Sequence, residues 1–168
     1  MKRALIALLL LGACGEEPAA PPAPVAIDAT TTGHYCMMVL ADHGGPKAQI
    51  HLEGYPAPLF FSQVRDALAY LRGPEREARV LAVYVNDMAR APSWENPGPD
   101  NWIAASDARY VVGADVVGGM GAPEIAPFGD EVAASAFIAR HGGKAMAFDD
   151  IPDDAVLGPV EIDLHGKH

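Results

Sequence analysis

The first 32 residues of this 168-residue chain are poor material for a packed core, and that sets where folding begins. Ala4 to Leu11 is an unbroken apolar run preceded by Lys2 and Arg3. It falls far short of the ~20 residues that a bilayer-spanning helix needs. Gly15 to Ala26 is dominated by Pro and Ala, with Pro18, Pro21, Pro22 and Pro24. Such a composition favours extended polyproline geometry over packing. The foldable part is therefore expected over 33–168, about one domain in length. It has the material for a core, since 50% of the chain is hydrophobic and only 20% charged. The net charge of −10, with no visible cluster of Lys or Arg, argues against nucleic acid as a partner.

The apolar run ends in Leu11-Gly12-Ala13-Cys14, which resembles the lipobox where bacterial lipoproteins are cleaved and acylated on cysteine. This predicts a signal peptide over 1–13, lipidation of Cys14, and a lipid-anchored tether over 14–32. Gly15 follows the cysteine, without the Asp that retains many lipoproteins in the inner membrane. The expected location is thus the periplasm, anchored to the outer membrane. Only one other cysteine exists, Cys36. A lone thiol in an oxidising compartment is either buried and inert or kept for its reactivity.

Along the folded part, Lys47 to Glu53 alternates polar and apolar residues, predicting a half-buried strand. Val64, Ala67, Leu68 and Leu71 recur at helical spacing, predicting a helix over 62–72 with Ser62 as N-cap and Gly73-Pro74 as its end. Arg79 to Asn86 reads as a well-buried strand. A Pro- and Gly-rich loop over 89–101 follows, with Trp94 and Trp102 placed to pin it. A second cycle comes next. It has a strand over 107–112, a turn at Gly118-Gly119-Met120-Gly121, a helix over 130–140 with Val132, Ala136 and Ala139 on one face, and a strand over 144–148. A last strand is expected over 160–164. Phe61, Ala67, Ala69, Tyr70 and Leu71 recur at a constant offset as Phe128, Ala134, Ala136, Phe137 and Ile138. That pattern favours a duplicated unit.

The chemistry concentrates in Gly33-His34-Tyr35-Cys36-Met37-Met38 and in Asp42-His43-Gly44-Gly45-Pro46-Lys47. In an extended chain, residues two apart share a side. Cys36 and Met38 would then present a thiolate and a thioether together, with His34 on the same side. These soft donors suit Cu(I) over Zn(II), Mg(II) or Ca(II). Met120 stands in a glycine turn with no regular element to bury it, which favours presentation of its sulfur. His43, just beyond the Cys-Met pair, is the strongest further imidazole. Met88 and Met146 are expected in packing, His51 as structural or exposed, His141 as a helix-end residue, and His165 and His168 in a polar tail. The sequence contains no CxxC, HExxH, GxSxG or P-loop pattern.

Several separated motifs together resemble the NosL family, the lipoprotein copper chaperones of nitrous oxide reductase assembly. They are residues 33–38, the run from His43 to Ile50, Tyr110 to Asp115 with Met120-Gly121, and Phe137 with Gly142-Gly143. The resemblance extends over the lipobox and from Gly33 to Ile151. It implies an α+β fold of two similar ββαβ halves packed as one compact unit, here approximately 33–90 and 91–168. It implies Cu(I) binding, delivery of copper to nitrous oxide reductase, and docking on a NosDFY-type ABC transporter complex. The family's Cys-x-Met pair falls on Cys36 and Met38, and its later Met-Gly on Met120. The family commonly has glycine between Cys and Met, and Met37 stands there in this chain, so Met37 is an alternative thioether ligand to Met38, with the i, i+2 spacing favouring Met38.

A metal carrier rather than an enzyme is thus the leading expectation. Two alternatives compete with it. One is a cysteine-dependent enzyme with Cys36 as nucleophile and His34 or His43 as base. The other is a structural or interaction lipoprotein with a buried cysteine.

Overall fold

Strand β1 (Ala48–Leu52) lies at the centre of a four-stranded antiparallel sheet. On one side it pairs with β2 (Leu59–Phe61), and on the other with β3 (Val80–Asn86), which in turn pairs with β4 (Trp102–Ala104). The computed structural model describes residues 20–160. Cys14 and the lipobox lie outside the described residues, as does the strand expected over 160–164 apart from Val160. A three-stranded antiparallel sheet follows. Its central strand β5 (Arg109–Val112) is flanked by β6 (Ala126–Phe128) and β7 (Lys144–Met146). Helix α1 (Val64–Arg72) joins β2 to β3, and α2 (Glu131–His141) joins β6 to β7. Each half is therefore β-β-α-β with its first strand in the middle, as the α+β duplication implied. The repeated aromatics occupy equivalent places: Phe61 and Phe128 end β2 and β6, and Tyr70 and Phe137 lie in α1 and α2. The first sheet runs on to Ala104, past residue 90, where the sequence suggested dividing the halves.

The halves share their interior through β5. Successive strand residues face opposite sides. Tyr110 enters the core built on β1 and α1, whereas Val111 joins a second core with Ala126, Phe128, Ala134 and Phe137. Ile125 and Ala126 divide in the same way.

Six expectations need correction. The β1 segment is buried on both faces, not one. Its polar set, Lys47, Gln49 and His51, is covered because part of the supposed tether lies on it. The Gln49 side chain accepts from Val25 N–H at 2.8 Å and donates to Val25 C=O at 2.9 Å, and Tyr84 Oη donates to Pro22 C=O at 2.7 Å. The tether read over 14–32 is thus held on the domain from Pro22 onward, with Ile27 N–H bonded to Pro99 C=O. Strand β3 is only half-buried up to Tyr84, since little besides Pro21 and Pro22 covers its outer face.

Helix α1 begins after Gln63 rather than Ser62, and neither side chain caps it. Its Arg65 N–H is satisfied by Glu124 of the other half at 3.1 Å, a partner that local sequence cannot reveal. The buried face of α2 is Ala134 and Phe137, with Ile138 packed beside them; Val132 is 76% exposed, and Ala136 and Ala139 are exposed too. Trp94 pins the long loop through its Nε1–H to Val117 C=O, whereas Trp102 belongs to β4.

Four elements had no residue range assigned from the sequence: the short strands β2, β4 and β6, and a helix after β7. Helix α3 (Asp153–Leu157) is tied to α1 by Arg65, which donates to Val156 and Gly158 carbonyls, and by Arg72, which donates to Ile151 C=O and pairs with Asp153.

Candidate metal centre

Cys36 sits in a turn, not in an extended strand, which corrects the same-side argument for Cys36 and Met38. A bridge between Thr32 and Val39 closes the loop. Inside it, Met37 N–H donates to Gly33 C=O at 2.9 Å and Gly33 N–H to Met38 C=O at 3.0 Å. His34 N–H fastens the loop to Phe60 C=O at 2.6 Å. Closing so tight a turn forces Met37 to φ 56, the only positive φ outside glycine among the described residues. A left-handed conformation costs an L-residue ~1–2 kcal/mol, a strain that glycine would not carry here. Met37 is 74% exposed and Met38 42%.

The Cys36 thiol lies over the α-carbon of Gly33: a Cβ there would meet Sγ at 2.6 Å. The thiol is free and partly exposed, and its neighbour is the Met38 carbonyl at 3.9 Å. It is not a core residue. His34 is directed elsewhere. Its ring packs edge-to-face on Phe61 and Tyr70, with centroids 5.6 Å away in each case.

The second half reaches this region through the Gly118–Gly121 turn. Met120 N–H donates to Gln63 Oε1 at 3.0 Å, and Gln63 adjoins Ser62, whose N lies 3.8 Å from where a Gly33 Cβ would stand. The fit is close enough to demand glycine. A Cβ on Gly118 would meet Gln63 Oε1 and Glu124 Oε2 at 2.5 Å each, and one on Gly119 would meet His43 Cβ at 2.5 Å. Met120 stays 39% exposed.

His43 is held by this turn. Its Nδ1 lies 3.0 Å from the Gly119 carbonyl, which can only accept, so Nδ1 carries the hydrogen. In the neutral ring that leaves Nε2 with a free lone pair, and Nε2 is buried without a partner among the described residues. A backbone carbonyl on one ring nitrogen is the usual way of orienting a metal-binding imidazole.

Beneath His43 lies Lys47, almost wholly buried. Its Nζ donates to the carbonyls of His43, Gly44 and Gly45 at 2.7, 2.9 and 2.7 Å. Three acceptors require three N–H donors, which only the ammonium form has. Burial nonetheless pushes its pKa down to about 8, and the charges of Glu124 and Cys36 oppose that shift. Burial also pushes the Glu124 carboxyl up to about 8, although the Ile125 and Arg65 N–H groups favour its ionised form. Sequence reasoning assigned no role to Lys47, Gln63 or Glu124. The one available signal was Lys47 itself, a charged residue in line with the polar face of a strand.

The loops thus bring His43 and the turn bearing Met120 into contact, with the Cys36–Met38 loop beside the start of α1, and His34 packs on aromatic rings. Among the described residues, no three His, Cys, Asp or Glu side chains group as a metal site. Exposed methionine sulfur is available in both loops, on Met38 and Met120, and thioethers favour a soft ion. The importance of the close approach is testable. Gly119→Ala should displace the Met120 turn from His43, destabilise the protein by ~1–3 kcal/mol and weaken metal binding at least tenfold. Denaturant unfolding and a metal competition titration check both effects.

A model of the NosL family matches residues 24–156. The "Copper-binding lipoprotein NosL" of Achromobacter cycloclastes is 56% identical over 156 residues, covering 92% of this chain and 81% of that protein. The protein of the same name from Stutzerimonas stutzeri is 34% identical over 168 residues, covering 96% and 85%. The fold matches the crystal structure of the copper chaperone NosL from Shewanella denitrificans with a TM-score of 0.72 at 36% identity, over 78% of this chain and 97% of that one. It matches the solution NMR structure of the apo-NosL protein from Achromobacter cycloclastes with a TM-score of 0.51 at 55% identity, over 71% and 94%. With the fold, the sequence and the soft-donor loops in agreement, the chain belongs to the NosL family.

Proposed function

We propose that this protein is a copper chaperone rather than an enzyme, a lipoprotein anchored through Cys14 and facing the periplasm from the outer membrane. It carries copper as Cu(I) on Cys36, Met38 and Met120, with His43 Nε2 as the nitrogen donor. The recipient is nitrous oxide reductase, reached by docking on a NosDFY-type transporter complex. Copper is the cargo, and a site with one thiolate and neutral thioethers both holds Cu(I) and releases it.

The observation that carries this reading is His43. Its Nδ1 is engaged by the carbonyl beside Met120, and its Nε2 is left buried with an unused lone pair. An enzymatic Cys36 would need a base able to take the thiol proton. Cys36 Sγ lies 3.9 Å from the Met38 carbonyl, which cannot take a proton, and the His34 ring stands edge-to-face with Phe61 and Tyr70. The names of the relatives, a copper-binding lipoprotein and a copper chaperone, agree with a carrier.

The test is a competition titration of the mature chain with Cu(I) and Zn(II) under anaerobic conditions. Cu(I) should displace Zn(II) at equal concentration. Displacement of Cu(I) by Zn(II) would rule out a sulfur-dominated site.

A further inference from the structure

We propose that the exposed apolar side chains around the site form the docking face for a copper-accepting protein, and that Met37 is a contact residue on that face rather than a copper ligand. The proposal rests on the copper-carrier reading above. Among the described residues, five of the nine exposed large hydrophobic side chains fall in the two site loops: Tyr35, Met37, Met38, Val117 and Met120. The remaining four are scattered over other elements. These two loops flank the Ser62-Gln63 segment that opens α1, so they form one platform around the cargo. Concentrated exposed apolar surface marks an interaction site, whereas isolated exposed hydrophobics need no explanation.

Met37 is the most exposed of the three site methionines, and its backbone is held in the left-handed region. Neither feature helps the fold: an exposed side chain recovers little by burial, and glycine would occupy φ 56 without strain. The conformation does project a large flexible apolar side chain outward beside Cys36. Methionine adapts to irregular partner surfaces.

Charge identifies the partner's chemistry. At one end of the platform, Tyr35 Oη donates to Glu75 at 2.8 Å, and Asp66 lies close enough to bear on Tyr35. At the other end, Val117 borders a cleft of about 620 Å³ lined also by Glu95, Asp115 and Arg140. The whole chain carries −10. The occupant is therefore a protein whose copper entry is apolar at its centre and basic at its rim. A second copy of this chain would set acidic rim against acidic rim.

The test uses the full chain in a denitrifying host, in place of the host's own chaperone. Met37→Ser should keep Cu(I) affinity within threefold of wild type and leave the melting temperature unchanged or slightly altered. It should also cut the copper content of nitrous oxide reductase at least threefold. Val132→Ser, an exposed apolar residue on α2 outside the platform, should leave loading unchanged. Wild-type loading by Met37→Ser overturns the proposal, and so does a tenfold loss of its Cu(I) affinity, which would make Met37 a ligand. Sedimentation in which wild type dimerises and Met37→Ser does not would identify a second copy as the occupant and overturn it too. Full loading by Cys36→Ser would instead bring down the copper-carrier reading itself.

Discussion

Cys36→Ser should lower Cu(I) affinity at least a hundredfold while leaving the melting temperature of the apoprotein nearly unchanged. Cys36 supplies the only thiolate among the candidate donors, so its loss removes both the negative charge and the strongest soft bond. Hydroxyl oxygen is a hard donor and does not replace it. Stability should be spared because the thiol is partly exposed on a turn and fills no core position. Serine also fits the space above Gly33, where the sulfur now sits. Met38→Leu and Met120→Leu should each weaken binding less, by ~10-fold, since a thioether is neutral and exchanges readily. Competition against a Cu(I) chelator and thermal melting, run on the same samples, give both numbers. A large drop in melting temperature with affinity retained would return Cys36 to the role of a buried structural cysteine.

The largest effect on stability is expected from Lys47→Met. The methionine would fill the volume but leave the carbonyls of His43, Gly44 and Gly45 without the donors they now share. Stranding buried acceptors and removing a charge that faces Glu124 should cost ~3 kcal/mol, or roughly 10 °C in melting temperature. The damage should reach the metal centre as well. Lys47 fixes the backbone that carries His43, and His43 meets the Gly119 carbonyl. Thermal unfolding of the apoprotein checks the first effect and Cu(I) titration at low temperature the second. A variant as stable as wild type would show that water substitutes for the ammonium.

The sequence made local features legible and long-range ones not. The strand at β1, the helix at α1 and the glycine turn at 118–121 all appear in the structure, because each depends on neighbours within a few residues, and the constant offset of the paired aromatics reappears as the repeat of the two halves. What failed depended on distant partners. Full burial of β1 comes from Pro22 and Val25 lying across its polar face. The α1 N-terminus is satisfied by Glu124, a residue of the other half. An extended Cys36–Met38 segment is the expectation from sequence, yet the chain folds back on itself at Gly33 and the bridge from Thr32 to Val39 closes the loop. On α2, Val132 reads as an apolar anchor, but the packing of Phe137 against Phe128 and Trp94 turns the opposite face inward. For the site, residue types were readable and directions were not: the packing of His34 on Phe61 and Tyr70 and the orphaned Nε2 of His43 follow only from tertiary structure.

X-ray absorption at the copper edge of the Cu(I)-loaded chain tests the central claim most directly, that the copper sits among sulfur donors supplied by both halves. The expected first shell is dominated by sulfur, with one lighter scatterer from His43, and loses one sulfur in Met120→Leu. A first shell of nitrogen and oxygen alone, or a sulfur count that Met120→Leu leaves unchanged, would contradict it.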